Sequence, residues 1–149
     1  MQARESSSHT PFVRRVRFAD VDFARVPFYG RYYGWVDEAW EYQLNAHGVW
    51  YSDMVGTRGI GLPVVEAHCR YRRPLRLDDE FTVQFRVSDL SLRGLTTEFT
   101  FRRTDDDDAA ATGYVQRRFI DLGRFRPCEV TEELYPSFQA LADALNAGV

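Results

Sequence analysis

Two aspartates, Asp20 and Asp22, stand one residue apart in "FADVDFARVPFYGRYY" (residues 18–33), among aromatic and aliphatic neighbours, where a strand pattern gives way to a helix pattern. Aspartates in such a loop are ordinarily turn formers or helix caps. The helical pattern starts only near Gly30, however, so neither side chain is an obvious N-cap. A loop that also carries Phe23, Val26, Pro27 and Phe28 is expected to fold inward. A carboxylate held in apolar surroundings has its charged form disfavoured and its pKa raised, which prepares it for acid–base or nucleophilic work. The free amide N–H groups at the start of the next helix can face a developing oxyanion. Together they suit the hydrolysis of an acyl group.

The elements that must position this loop are readable from periodicity. In "FVRRVRFAD", Val13, Val16 and Phe18 among arginines predict a short strand ending at Asp20. Pro27 keeps the following stretch out of a helix. From Gly30 to Ala46, Tyr32, Trp35, Val36, Ala39, Trp40, Gln43 and Leu44 recur at three- and four-residue steps, which predicts an amphipathic helix with a wide aromatic face, stopped at Gly48. "VWYSDMVGTRG" leaves room for one more short helical turn.

Strands follow. "IGLPVVEAHCRYRRP" reads as extended, "LRLDDEF" as a polar turn at Asp78 and Asp79, and "EFTVQFRVSDLS" alternates Phe81, Val83, Phe85 and Val87 against polar residues. "GLTTEFTFRRT" and "TGYVQRRFIDL" flank "DDDDAAA" as a hairpin with a solvated acidic loop. "TEELYPSFQALADALNAG" reads as a terminal helix, with Thr131 as candidate N-cap, Leu141 and Leu145 on one face, and Pro136 either kinking it or opening its main segment. Residues 1–10 read as a loose polar tail and 11–149 as one domain. The order predicts an α+β fold, an antiparallel sheet of about five strands wrapped round one long central helix, with a C-terminal helix. One helix cannot cover both faces of that sheet, so the terminal helix or a second subunit is expected on the other.

Composition removes several classes of function. A net charge of −3 argues against a nucleic-acid protein. Every one of the 19 basic residues is arginine; biased codon usage explains that, although arginine's planar fork also suits phosphate. No apolar run reaches the length of a membrane span and "MQARESSSHT" lacks an export core, so the chain is expected to be cytoplasmic with Cys69 and Cys128 reduced. His9, His47 and His68 share no metal-ligand spacing with each other or with the cysteines, so no metal is expected. "GTRGIG" lacks the strand and the lysine–serine ending of a phosphate loop, and "DDDD" reads as solvated charge.

Two blocks in order carry a family resemblance. Asp20-Val21-Asp22, followed by Phe28-Tyr29 and by Tyr32 and Trp35 on the helix, resembles the double-aspartate signature of hotdog-fold acyl-CoA thioesterases of the 4-hydroxybenzoyl-CoA thioesterase and Tol–Pal-associated type. "GLPVVEAHCRYRRPLRLDDEFTVQFRV" matches the second block, and the similarity runs from about residue 13 to 122. The resemblance implies that Asp22 is the catalytic carboxylate, as general base or nucleophile. It implies that the Tyr29 backbone N–H polarises the thioester carbonyl, and that Arg93 meets the CoA phosphates. It further implies a homodimer joined along the sheet edge, open to pairing into tetramers, with Phe28, Tyr32, Trp35, Pro63, Val64 and Glu66 around the acyl group and no cofactor. A related branch places its carboxylate on the helix, so Glu38 or Glu41 stands in reserve. The chain departs from the pattern at Phe23-Ala24-Arg25, where a small turn, often glycine, is common, and at Pro27.

The expected function is hydrolysis of a short-chain or aromatic acyl-CoA. An acyl carrier protein as thioester donor, or a hotdog protein that binds an acyl or aromatic ligand without turnover, are the alternatives.

Overall fold

The computed structural model describes residues 10–148; the expected tail lies almost wholly outside them, as does His9. Strands β1 (Phe12–Arg15), β3 (Val64–Tyr71), β4 (Glu80–Ser91), β5 (Gly94–Arg103) and β6 (Ala109–Arg118) form one sheet in the order β1-β4-β5-β6-β3, antiparallel at every step. Three two-residue strands, β2 (Ile60–Gly61), β7 (Ile120–Asp121) and β8 (Arg126–Pro127), make a small second sheet. The long helix α1 (Arg31–Ala46) lies across one face of the large sheet, and a short π-helical turn, Ser52–Thr57, follows it.

The alternation read in β4 is borne out. Phe81, Val83, Phe85 and Val87 are all buried, and Phe81 and Phe85 meet Trp35 and Trp40 of α1 at centroid distances of 4.7 and 5.9 Å. Seven α1 residues are buried, the same seven that the periodicity selects. Burying such a tryptophan or phenylalanine contributes roughly 1.5–3 kcal/mol or more, so this aromatic seam fixes the helix on the sheet.

Two expectations are corrected. Strand β1 ends at Arg15, and Phe18 sits in a one-turn 3-10 helix (Phe18–Asp20) with its ring in solvent. Helix α2 (Tyr135–Ala147), opened by Pro136 in its first turn, does not cover the far face of the sheet. It packs beside α1 along β4, where the Asn146 side chain accepts the Val87 N–H and donates to the Val87 carbonyl, satisfying backbone that β1 is too short to reach. The far face carries Gln84, Arg86, Glu98 and other exposed polar side chains on the single chain.

Candidate active site

The loop between β1 and α1 divides its two aspartates between two jobs. Asp20 is only 4% exposed. Its carboxylate accepts the Arg17 N–H at 2.8 Å and lies 3.3 Å from Arg31 Nε and 3.8 Å from Arg14 Nη2. It therefore ties the end of β1 to the first residue of α1. Asp22 is exposed on the single chain. Its N–H donates to the Val26 carbonyl at 3.1 Å, its carbonyl accepts the Arg25 N–H at 2.9 Å, and its Oδ1 accepts the Ala24 N–H at 2.9 Å.

This tight turn explains why the loop does not fold inward as expected. Val26 and Pro27 are covered, but Phe23 is wholly in solvent and Phe28 is more exposed than buried. Arg25 has φ 63°, the left-handed region that glycine enters freely and other residues enter at about 1–2 kcal/mol. A glycine at this turn would relieve that strain, and arginine here carries it.

Asp22 lines a shallow cleft of 350 Å³ together with Phe28, Gly30, Arg31 and Gly34, at the N-terminus of α1. Tyr29 lies between two of those residues. Among the described residues no backbone hydrogen bond takes its N–H, whereas the neighbouring Phe28 N–H donates to the Asp20 carbonyl at 3.4 Å. The Tyr29 carbonyl is held by the Tyr71 hydroxyl at 2.6 Å, so the end of β3 anchors the residue whose amide is free.

A second cleft of 380 Å³ opens between α1 and the start of β3, lined by Asp37, Glu38 and Glu41, by Pro63 and Val64, and by Arg117. Gly34 borders both clefts. A Cβ added there would meet nothing within 4 Å, so the helix surface dips between them. Glu38 is held by Arg14 at 2.6 Å. Arg117 is 3% exposed, contacts Asp37 Oδ1 at 2.9 Å and lies over the Trp40 ring at 5.2 Å. Burial draws its guanidinium pKa below the usual arginine range. Burial likewise raises the Tyr51 phenol beside it.

The remaining residues singled out in the sequence are scattered. Tyr32 and Trp35 are core, not pocket wall: Tyr32 packs against Trp35, Tyr71 and Phe101, and burial pushes its phenol pKa up to about 12. Glu66 projects from the far face of the sheet, where it accepts the Tyr114 hydroxyl at 2.7 Å. The cause is a bulge between Val64 and Glu66, which shifts the register so that the two no longer share a face. Arg93 sits in the β4–β5 turn, whereas Arg25 of the aspartate loop bonds to Leu77 before the start of β4. The 12 residues of β4 span ~40 Å, so Arg93 cannot serve the Asp22 cleft of its own chain. Arg117 was missed, yet it left a signal: in "VQRRF" it takes the inward place between Val115 and Phe119, both buried.

A long helix across a five-stranded antiparallel sheet is the hotdog fold. The chain belongs to the thioesterase-like superfamily, whose family profile matches residues 16–138. It is 28% identical to a 1,4-dihydroxy-2-naphthoyl-CoA hydrolase of Prochlorococcus marinus over 156 aligned positions, covering 100% of this chain and 98% of that protein. It is 32% identical to a putative esterase of Aquifex aeolicus, covering 83% and 98%. The solved structure of the gentisyl-coenzyme A thioesterase BH1999 superposes with a TM-score of 0.75 at 27% identity, covering 86% of this chain and 98% of that one. No helix among the described residues is long and apolar enough to cross a membrane, and no group of three or more histidine, cysteine or acidic residues among them could hold a metal ion.

Proposed function

We propose that this protein hydrolyses an aromatic acyl-CoA thioester at the N-terminus of α1. The observation that supports the reading is that Asp22 lines a cleft with Phe28 and Gly30, the two residues that flank Tyr29, whose N–H has no backbone acceptor among the described residues. The names of the relatives, hydrolases of 1,4-dihydroxy-2-naphthoyl-CoA and gentisyl-CoA, favour an aromatic acyl group and CoA as the thiol. Phe28 is the aromatic residue available to face it.

Asp22 takes a proton from water as the hydroxyl adds to the thioester carbonyl, or it attacks that carbon itself and the resulting anhydride is opened by water. In either route the negative oxygen forms against the Tyr29 N–H, the C–S bond breaks, and the thiolate leaves to take up a proton. A positioned base contributes ~10²–10⁴ in rate and an oxyanion donor ~10²–10³.

A second copy completes the site. Among the described residues strand β3 is one of the two edges of the sheet and the longer one, eight residues, with Val64, Val65 and Tyr71 exposed along it and Tyr29 beside its end. A long exposed edge of this kind is a template for pairing. Antiparallel pairing of two β3 strands about a two-fold axis sets the Val64 end of one against the Tyr71 end of the other. The Asp22 cleft of one protomer would then meet Pro63 and Val64 of its partner. Since Arg93 lies beyond the Val64 end of the sheet, this is also the arrangement that would let it reach a CoA bound at the other protomer.

The test is a panel of aryl and short-chain acyl-CoA thioesters run on wild type and Asp22→Asn. Asparagine keeps the shape and removes the charge. Turnover is expected to fall ~10²-fold or more with unchanged melting. Normal turnover would move the carboxylate role to Glu41 or Glu38. Hydrolysis confined to matched acyl-carrier substrates would change the partner, and no hydrolysis of any thioester would leave a ligand-binding protein.

A further inference from the structure

We propose that Arg117 forms the far end of the acyl pocket and selects acyl groups that carry a neutral hydrogen-bond-accepting oxygen there. The inference rests on the thioesterase reading above and names the chemistry of the substrate's distal end.

Arg117 is an under-compensated buried charge. A guanidinium has five N–H donors, and at 3% exposure bulk water meets few of them. Its Nη2 bonds to Asp37, a carboxylate whose side chain is itself 67% exposed. Its Nη1 is buried and has no hydrogen-bond partner among the described residues. The Trp40 face at 5.2 Å offsets part of the charge but accepts no in-plane hydrogen bond. Leaving such donors unmet is costly, and buried charges are normally paired and fully hydrogen-bonded. The guanidinium borders a 380 Å³ cleft, so a small turn of its head brings the unmet donor to an acceptor atom of a ligand held there.

Geometry links that cleft to the reacting carbon. Gly34 borders both clefts with open space above it, so an acyl group can lie along α1 from the helix N-terminus over Gly34. From Gly30 to Asp37 is seven helical residues, ~10 Å, room for a one- or two-ring acyl group. The charge balance fixes which oxygen fits. Arg117 already faces Asp37, and Glu38 and Glu41 line the same cleft, so a carboxylated acyl group would add a fourth anion to one buried cation. An ether, hydroxyl or carbonyl oxygen accepts from the guanidinium without that repulsion.

The experiment compares pairs that differ by one oxygen: 4-methoxybenzoyl-CoA against 4-ethylbenzoyl-CoA, and 6-methoxy-2-naphthoyl-CoA against 6-ethyl-2-naphthoyl-CoA. Wild-type kcat/KM is expected to favour the methoxy member of at least one pair by about ten- to a hundredfold, the range for a hydrogen bond to a charged group. Arg117→Met, which fills the space beside Trp40, should bring that ratio to about one, whatever the variant's overall turnover. Arg117→Lys, which keeps the charge near Asp37 and moves the donor, should reduce it to a few-fold and serves if the methionine variant does not fold. Because the readout is a ratio within each variant, loss of stability cannot imitate the effect.

A wild-type ratio near one in both pairs, a preference that survives both substitutions, or a preference for 4-carboxybenzoyl-CoA over both neutral partners would each overturn the proposal. If wild type hydrolyses no acyl-CoA, the thioesterase reading fails first. The subsite is then judged by calorimetric binding of 6-methoxy-2-naphthoate against 6-ethyl-2-naphthoate to wild type and Arg117→Met. Tighter methoxy binding that disappears in the variant upholds it, and equal affinities refute it.

Discussion

Gly34 offers a perturbation whose effects on stability and activity should have opposite signs. It lies in the first half of α1, exposed, with helical neighbours on both sides and nothing within 4 Å of an added Cβ. Glycine in a helix interior costs about 0.8–1 kcal/mol relative to alanine, because its backbone loses more freedom on ordering. Since no neighbour is struck, Gly34→Ala should recover most of that, about 0.5–1 kcal/mol of added stability in urea unfolding. The same side chain stands on the saddle between the two clefts. Alanine should narrow the acyl path slightly and lower kcat/KM for a two-ring substrate by a few-fold. Gly34→Leu, with a side chain occupying ~100 Å³, would fill about a quarter of either cleft at the point where they adjoin. It should lower kcat/KM for aryl substrates by about tenfold to a hundredfold while the protein stays at least as stable as wild type. The assay is paired: urea denaturation and steady-state kinetics on the same preparations, with sedimentation confirming an unchanged state of association. If Gly34→Leu keeps wild-type kcat/KM for a naphthoyl substrate, the acyl group does not pass over this residue, and the linkage of the clefts is wrong.

Two further expectations concern the groups around the site. Asp20→Asn should destabilise the protein by roughly 1–3 kcal/mol, because a buried carboxylate that holds Arg17, Arg31 and Arg14 loses its charge; two of these arginines are partly exposed, which keeps the loss below that of a fully buried pair. Asp22→Asn, on an exposed turn, should shift stability by less than ~0.5 kcal/mol, so urea midpoints of the two variants separate the structural aspartate from the proposed catalytic one. Tyr32 gives a pH dependence. Its phenol is raised to about 12 by burial, so the unfolded chain releases this proton first, near the ordinary value of 10.0. The stability it contributes is complete below that value and is lost as pH rises through about 12, by roughly 2–3 kcal/mol in total. Unfolding followed between pH 9 and 12 should show this loss in wild type and a shallower one in Tyr32→Phe; identical slopes would refute it.

What the sequence determined by itself was local. A 3.6-residue period marked the buried face of α1 down to its seven residues, and strict alternation marked the inward residues of β4, because side-chain direction in a helix or strand is set by the backbone repeat alone. The double-aspartate loop before a helix was likewise legible, as was family membership, since both are carried by residues close together in the chain. Tertiary structure decided everything that depended on parity or on distant partners. Which aspartate went inside was settled by Arg14 and Arg31 closing on Asp20 and by the turn that sends Phe23 and Asp22 outward. A single bulge after Val64 moved Glu66 to the opposite face, and no local pattern announces one extra residue. Tyr32 and Trp35 belonged to the aromatic face as predicted, but only the arrival of Phe81 and Phe101 from strands far along the chain made that face core and not pocket wall. Arg117, too, occupies an inward position that alternation could reveal, yet its place opposite Asp37, 80 residues away, exists only once β6 lies under α1. Periodicity says which way a side chain points; what it meets there is set by packing between segments that the sequence keeps apart.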